Sequence, residues 1–230
     1  QFNIINNIQS RTETAYQIFD RVSYDGFLEI FSLDLAGGIN WRKIDRDTRY
    51  KTSELQSNQI YDTRVDELKI ELDAVSRYSS KIFDGILRFN FYERNEKHIV
   101  KKDDGLSESF FEQKSELEEQ KNNNSSRATL SVYGNVRFSK SDFLTFSLYQ
   151  SKLIYNTLSL LNDDDRDELL SIVRLRYSKS LSSYFTAFVN AEGTYGHTVY
   201  LFAGRSSNNN QNRILRLRAG GDYYGSYIKS

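Results

Sequence analysis

Four arginines stand at alternate positions in two stretches of the sequence. Arg174 and Arg176 form the first pair, and Arg216 and Arg218 form the second. A spacing of two residues puts side chains on the same face of a β-strand, so each pair would project from one side of a sheet. A row of guanidinium groups along a water-filled passage sorts solutes by charge. The spacing therefore predicts a basic wall.

An earlier stretch, DELKIELDAVSRY, carries mostly the opposite charge on alternate positions. The residues concerned are Glu67, Lys69, Glu71 and Asp73, and the following predicted strand adds Arg88. In a closed sheet, a basic wall would face a more acidic one and create a transverse field. The alternative is that these charges pair across neighbouring strands and fill a polar interior. The sequence leaves both interpretations open.

The segment NDDDRDE at 162–168 is the most acidic in the chain. Asp163, Asp164 and Asp165 offer carboxylate oxygens of the kind that hard divalent cations prefer. The segment lacks the glycine and the regular ligand spacing of an EF-hand loop. We interpret it as a solvated loop and predict no metal site, with these three aspartates as the nearest approach to one.

The chain contains no cysteine and two histidines, His98 and His197. The absence of cysteine excludes disulfides, thiol catalysis and Cys-ligated metals. A hydrolase would need a nucleophile, a histidine and an orienting group brought together, and no GxSxG, HExxH or Walker pattern occurs. The Gly37-Gly38 and Gly220-Gly221 pairs indicate strand bends, since no helix follows to hold a phosphate. We therefore expect no enzyme activity and no cofactor.

The composition indicates extended structure with one apolar side. The chain has 16 Tyr, 15 Phe and 1 Trp, yet its mean hydropathy is −0.63. It has no Pro, where average usage predicts about eleven, and a strand-rich chain avoids Pro because each one removes a donor from the hydrogen-bond ladder. The 31 basic residues balance the 31 acidic residues, so nothing favours nucleic acid as a partner.

Apolar and polar residues alternate with period two along most of the chain. In ATLSVYGNVRF, Leu130 and Val132 fall on one face and Ser131 and Tyr133 on the other. The pattern predicts about ten strands: 2–8, 12–22, 27–42, 62–78, 82–93, 127–138, 143–154, 168–177, 184–201 and 213–224. Short Ser/Lys turns, Asp25-Gly26 and Gly225-Ser226 connect them on one side. The other connections are longer and polar: 43–60, 94–126, 156–167 and 203–212.

This pattern resembles the β-barrels of Gram-negative outer membranes over most of the chain, without matching a named family residue by residue. Such barrels have short periplasmic turns, long outer loops and strands that alternate apolar-out and polar-in. The resemblance implies an all-β, antiparallel, up-and-down transmembrane barrel at 1–230, located in the bacterial outer membrane. We expect a mature or partial chain, truncated at either end and belonging to a larger barrel, since no leader or initiator Met is seen and the last residues look like the start of another strand.

Aromatic residues at the ends of the predicted strands fit the girdles of such a barrel, at the interfaces between lipid and water. The candidates are Trp41, Tyr78, Phe138, Tyr177 and Tyr223. Three of them, Tyr78, Phe138 and Tyr177, are the aromatic residues of a repeated Arg-aromatic-Ser motif at 77–79, 137–139 and 176–178. In each copy the aromatic would lie in the girdle while the arginine points inward.

The segment 107–120 is the one predicted helix, with Ser109 and Glu112 as a capping box. It lies in the longest connection, so it would plug the lumen, dock a partner or remain a mobile charged loop.

The function that we predict is a channel or porin for small solutes or ions, with the lipid bilayer and lipopolysaccharide as surroundings. The first alternative is a structural or assembly subunit of a cell-envelope complex that binds protein partners through its long loops. The second is a soluble β-sandwich that acts as a binding module.

Overall fold

The computed structural model describes residues 9–26, 30–48, 61–102, 106–159 and 162–225. Nine strands and one α-helix follow in chain order: β1 Gln9–Asp25, β2 Phe31–Thr48, β3 Thr63–Ser79, β4 Phe83–Val100, α1 Glu108–Glu119, β5 Asn123–Arg137, β6 Asp142–Thr157, β7 Arg166–Ser182, β8 Phe185–Tyr200 and β9 Asn210–Tyr223. A short 3₁₀ helix, Ala203–Asn208, precedes β9. The predicted strand at 2–8 and the turn residue Ser226 lie outside the described residues.

All nine strands belong to one sheet in which each strand pairs antiparallel with the next. The predicted all-β, antiparallel, up-and-down architecture is confirmed, with nine described strands where the sequence predicts about ten. The described residues form no second sheet, so the β-sandwich interpretation is wrong for this part of the chain. No helix in the described ranges is long and apolar enough to cross a membrane.

The register places apolar and polar residues on opposite faces of the sheet, as the alternation predicts. In β3, Leu68, Ile70 and Leu72 share one face with Val132 and Leu130 of β5, because each strand pairs residue by residue with its neighbour. We call this face the apolar face and the opposite one the polar face. Large side chains of the apolar face stay exposed on β1 to β4 and β7 to β9, for example Ile18 by 76%, Leu72 by 51% and Leu217 by 71%.

Burial is concentrated on the polar face instead. Among the described residues, four hydrophobic side chains are buried, namely Ile44, Val65, Val100 and Leu153, and the strand register puts all four on the polar face. They lie toward the end of the sheet that carries the long connections, which we call the loop end; the opposite end is the turn end. A soluble protein would bury its apolar face, so this sheet needs a different environment.

Several strands run further into the loop end than the sequence pattern predicts. The predicted strand at 82–93 is β4 Phe83–Val100, and pairing with β3 continues to Thr63 opposite Val100. The segment 94–100 carries charges on both faces and for that reason reads as a loop in the sequence. Hydrogen bonding between backbones does not depend on apolar alternation, so the ladder continues where the alternation stops.

The two outer strands of the sheet run in the same direction. Both β1 and β9 start at the loop end and finish at the turn end, since eight antiparallel steps separate them. Within the described residues, each of them pairs on one side only. A direct pairing between them would therefore be parallel, unlike every other pair in the sheet.

Candidate functional site: the polar face of the sheet

The strand register brings all nine predicted lumen residues to the polar face. Arg174 and Arg176 of β7 lie on the same side as Arg216 and Arg218 of β9. Both pairs lie opposite the same residues of β8, for example Glu192, which pairs with Arg174 on one side and with Arg216 on the other. The corresponding residues of β3 and β4 share that side: Glu67, Lys69, Glu71, Asp73 and Arg88. The sequence spacing therefore sets the face correctly.

The basic residues are mostly paired rather than forming an open wall. Glu192 of β8 lies between two of them and accepts hydrogen bonds from Arg174 Nε and from Arg216 Nη1, each at 2.7 Å. Arg176 donates to Asp222 over 2.8 Å. Arg218, on the outer strand, makes no hydrogen bond or ion pair within the described part of the chain. Neither Glu192 nor Asp222 is among the predicted lumen residues, although both stand at polar positions of the alternation.

The acidic side is compensated in the same way. Glu67, of which only 6% is exposed, accepts from Arg42 at 2.8 Å and from Arg94 at 2.8 Å. Asp73 is paired with Arg88 at 3.1 Å, and Lys69 with Glu71. Of the two interpretations that the sequence leaves open, the geometry favours pairing across neighbouring strands over two opposed walls.

A cleft of about 490 Å³ lies on the polar face of β1 to β4. Asp34 lines this cleft; it accepts hydrogen bonds from Ser23 at 2.6 Å and from Arg77 at 2.5 Å and lies 3.3 Å from Arg21. Glu71, Asp73 and Arg88 complete the charged lining. Asp34 was not singled out in the sequence, although its position opposite Val75 puts it on the polar face.

The helix α1 closes over the polar face at the loop end. It contacts β4, and Glu118 near its end is buried. Glu118 accepts a hydrogen bond from Tyr61 at 3.0 Å and lies 3.8 Å from His98, a polar-face residue of β4. Asn122, just after the helix, accepts a 2.6 Å hydrogen bond from the His98 backbone. The predicted helix is confirmed, and its contacts direct it inward.

The predicted capping box at Ser109 and Glu112 is wrong. The helix begins at Glu108 with Ser107 as its N-cap, and the Ser107 side chain makes no capping hydrogen bond. Ser109 is therefore already inside the first turn. The helix position depends more on Tyr61 and Glu118 than on a local cap, which sequence spacing does not reveal.

The two histidines lie on opposite faces of the sheet, so no single site uses both. His98 is on the polar face of β4, whereas His197 of β8 is on the apolar side, and the ring centres of His197 and Tyr195 are 6.2 Å apart.

The three aspartates of the acidic run 163–165 have different partners. Asp163 and Asp164 contact Arg205 at 3.2 and 3.0 Å, and Asp165 accepts a hydrogen bond from Thr157. No group of three or more His, Cys, Asp or Glu suited to a metal occurs in the described ranges.

The predicted girdle residues border the apolar face. Trp41 lies toward the loop end, where its ring stacks on Tyr16 with centroids 5.5 Å apart. The others lie at the turn end: Tyr78, Phe138, Tyr177 and Tyr223, exposed by between 41% and 74%. A second aromatic pair, Phe83 and Phe146, stacks beside them at 6.3 Å.

No protein-family model matches the sequence. No curated protein matches it. Among solved structures, the chain is similar to OmpT (in-vitro folded), an outer membrane protein of Vibrio cholerae, with a TM-score of 0.37 and 12% sequence identity. The match covers 89% of this chain and 64% of that chain, so this chain spans less than two thirds of its length. A likeness at this TM-score establishes neither a shared fold nor a shared function.

Proposed function

We propose that this chain forms the wall of a β-barrel in a bacterial outer membrane and that its polar face lines a channel for small solutes or ions. The observation that carries the proposal is the apolar face, which continues across all nine described strands and has exposed large side chains on β1 to β4 and β7 to β9. A monomer in water rarely exposes a contiguous apolar patch above about 600 Å². Lipid contact removes that cost.

The size of the apolar face fits a membrane. On β2 it extends from Phe31 to Trp41, a separation of ten residues. At about 3.3 Å per residue this is about 33 Å along the strand. A strand tilt of about 40° reduces the height to about 25 Å, which is the height of the apolar band of outer-membrane barrels. The residues beyond Trp41 would extend into water, consistent with their charges on both faces.

The polar face suits a passage for hydrophilic solutes. Many of its charges are held in ion pairs: Glu192 is shared by Arg174 and Arg216, and Glu67 by Arg42 and Arg94, so water and solutes meet polar groups of both signs. The helix α1 narrows the passage at the loop end. The acidic run 163–165 at that end would be placed to share divalent cations with lipopolysaccharide phosphates.

A second candidate function is that of a subunit in a multi-chain envelope assembly. It is favoured by the two outer strands, which pair on one side only within the described residues. Lipid does not tolerate unpaired backbone groups, so β1 and β9 must find partners. Because they run in the same direction, an antiparallel closure needs an odd number of further strands. These would come from polypeptide outside the described residues or from a partner chain.

The first test is gel mobility of carbonate-extracted membranes with and without boiling, followed by conductance in planar bilayers. A band that resists carbonate and shifts on boiling, with conductance steps, supports the channel. A carbonate-resistant protein that never conducts and co-purifies with stoichiometric partners favours the assembly role. A carbonate-soluble protein without a shift overturns both.

The ion preference of the channel tests whether the arginines of β7 and β9 line it. Replacing the four arginines together (R174Q, R176Q, R216Q, R218Q) leaves Glu192 and Asp222 uncompensated, so we expect a shift toward cations. Unchanged ion preference would contradict a lining role for this face. Exchange of Lys179, which the register places on the apolar face, is the matched control.

A further inference from the structure

A stripe without charge runs along the middle of the polar face, on β5 and β6. Four successive cross-strand pairs form it: Thr129 with Ser151, Ser131 with Tyr149, Tyr133 with Ser147, and Asn135 with Thr145. On β6, every polar-face position from 143 to 157 is uncharged. This contrasts with β1 to β4 and with β7 to β9, whose polar faces carry the ion pairs described above.

The charged neighbours of this stripe contact groups outside it. On β5 itself, Arg137 is paired with Asp84, and the guanidinium group of Arg127 lies 5.7 Å from the ring centre of Tyr92 on β4. Arg88 borders it on β4 but is paired with Asp73, on the far side in β3. On the other border, Arg174 is held by Glu192 of β8 and Arg176 by Asp222 of β9. Both borders therefore keep their cations near carboxylates of more distant strands, and the stripe itself offers neutral hydrogen-bonding groups.

The polar groups of the stripe are available to a ligand. Within the described part of the chain, the hydroxyls of its Ser, Thr and Tyr residues make no side-chain hydrogen bond. Tyr133 is 46% exposed and Tyr149 37% exposed. Their diagonal cross-strand relationship puts the two residues about 7 Å apart, close enough for one solute to contact both.

We propose that the stripe binds uncharged polyhydroxylated solutes, such as short saccharides, during their passage. Hydroxyls that both donate and accept match a sugar's hydroxyls, while a tyrosine ring packs against its apolar C–H face. A charged solute gains nothing from these neutral groups and loses hydration. This inference rests on the proposed channel and names its substrate class.

The test measures how a neutral trisaccharide blocks ion current through the reconstituted full chain. We expect a reversible, concentration-dependent block that an equally large charged saccharide does not produce. The double variant Y133A/Y149A should raise the half-blocking concentration by about tenfold, as expected when two ring contacts are removed. The variant F19A removes an exposed polar-face ring on β1, outside the stripe, and should leave the half-blocking concentration unchanged.

A second measurement keeps the inference testable when no current is seen. Saturation-transfer NMR on the detergent-solubilised chain detects trisaccharide binding without conduction. Binding that Y133A/Y149A abolishes, in a chain that does not conduct, supports the stripe and overturns the channel. Conductance without block, or equal block in Y133A/Y149A and the parent chain, overturns the stripe and leaves the channel standing. Absence of NMR binding overturns the stripe whether or not the chain conducts. The milder pair Y133F/Y149F retains the rings and should retain most of the block.

Discussion

The phenol of Tyr61 donates a 3.0 Å hydrogen bond to the buried carboxylate of Glu118 and so ties α1 to the segment that enters β3. The ring of Tyr61 also meets Phe110, on an earlier turn of the helix, edge to face at 6.3 Å. Lys121 adds an ion pair to Glu118 at 2.5 Å. Tyr61, which lies just before β3, therefore contacts both halves of the helix that covers the polar face.

Alkaline pH should loosen this helix. Burial, followed by the hydrogen bond to Glu118 and its negative charge, raises the pKa of Tyr61 above its usual 10.0. A raised pKa means that the stabilisation is fully present below about pH 10 and is lost as the pH rises through the folded-state pKa. A spin label on Q113C, in a chain that has no other cysteine, should become more mobile above that pH.

The variant Y61F separates this hydrogen bond from general alkaline unfolding. It should already be more mobile at pH 7, because a hydrogen bond to a charged group contributes about 1.5–3 kcal/mol, and its alkaline response should be smaller. Identical pH profiles for Y61F and the parent chain would show that Tyr61 does not hold the helix.

We expect the protein to need glycine at position 134, because the stacked rings of Phe83 and Phe146 lie against this position. A Cβ at this position would lie 2.3 Å from the ring of Phe146 and 3.0 Å from that of Phe83. G134A should therefore force the stacked rings apart and lower the free energy of unfolding by about 1–3 kcal/mol. Urea titration in lipid vesicles measures the difference. G193A is the matched control, since a Cβ there meets nothing within 4 Å, and a loss of the same size in both variants would contradict the packing explanation.

Glu192 should control the charge balance of the β7–β9 side. It is the shared partner of Arg174 and Arg216, so E192Q leaves two guanidinium groups without a carboxylate. We expect reversal potentials to shift toward anions by a measurable amount at 0.1 M salt and to return toward the parent value at 1 M, where the Debye length falls to about 3 Å. E168Q, also on the polar face but paired with Arg166 near the loop end, is the comparison, and equal shifts would argue against a local effect.

Trp41 should report the position of the chain in the membrane. It is the one tryptophan of the sequence and lies at the loop-end border of the apolar face. Lipids brominated near the headgroup should quench its fluorescence more strongly than lipids brominated at the chain end. In the variant W41F/L72W the tryptophan lies in the middle of the apolar face. Lipids brominated at the chain end should then quench it more strongly than lipids brominated near the headgroup. Quenching by neither lipid would place the apolar face outside the bilayer.

The sequence by itself determined which face of the sheet each residue occupies. Period-two alternation is a local property, because successive side chains of an extended backbone point to opposite sides whatever the strand pairs with. Leu68 and Glu67, for example, are assigned to opposite faces by their neighbours in the chain alone. The order of the strands follows almost as directly, since short turns join consecutive strands as antiparallel pairs.

Only the tertiary structure decided which charges meet. Glu192 lies between Arg174 and Arg216 because of the exact register of three strands, and a shift of one residue would separate them. The strand extension to Val100 and the inward position of α1 likewise depend on long-range contacts, Thr63 opposite Val100 and Tyr61 with Glu118. Such contacts join residues far apart in the chain, so no local pattern of residue types encodes them.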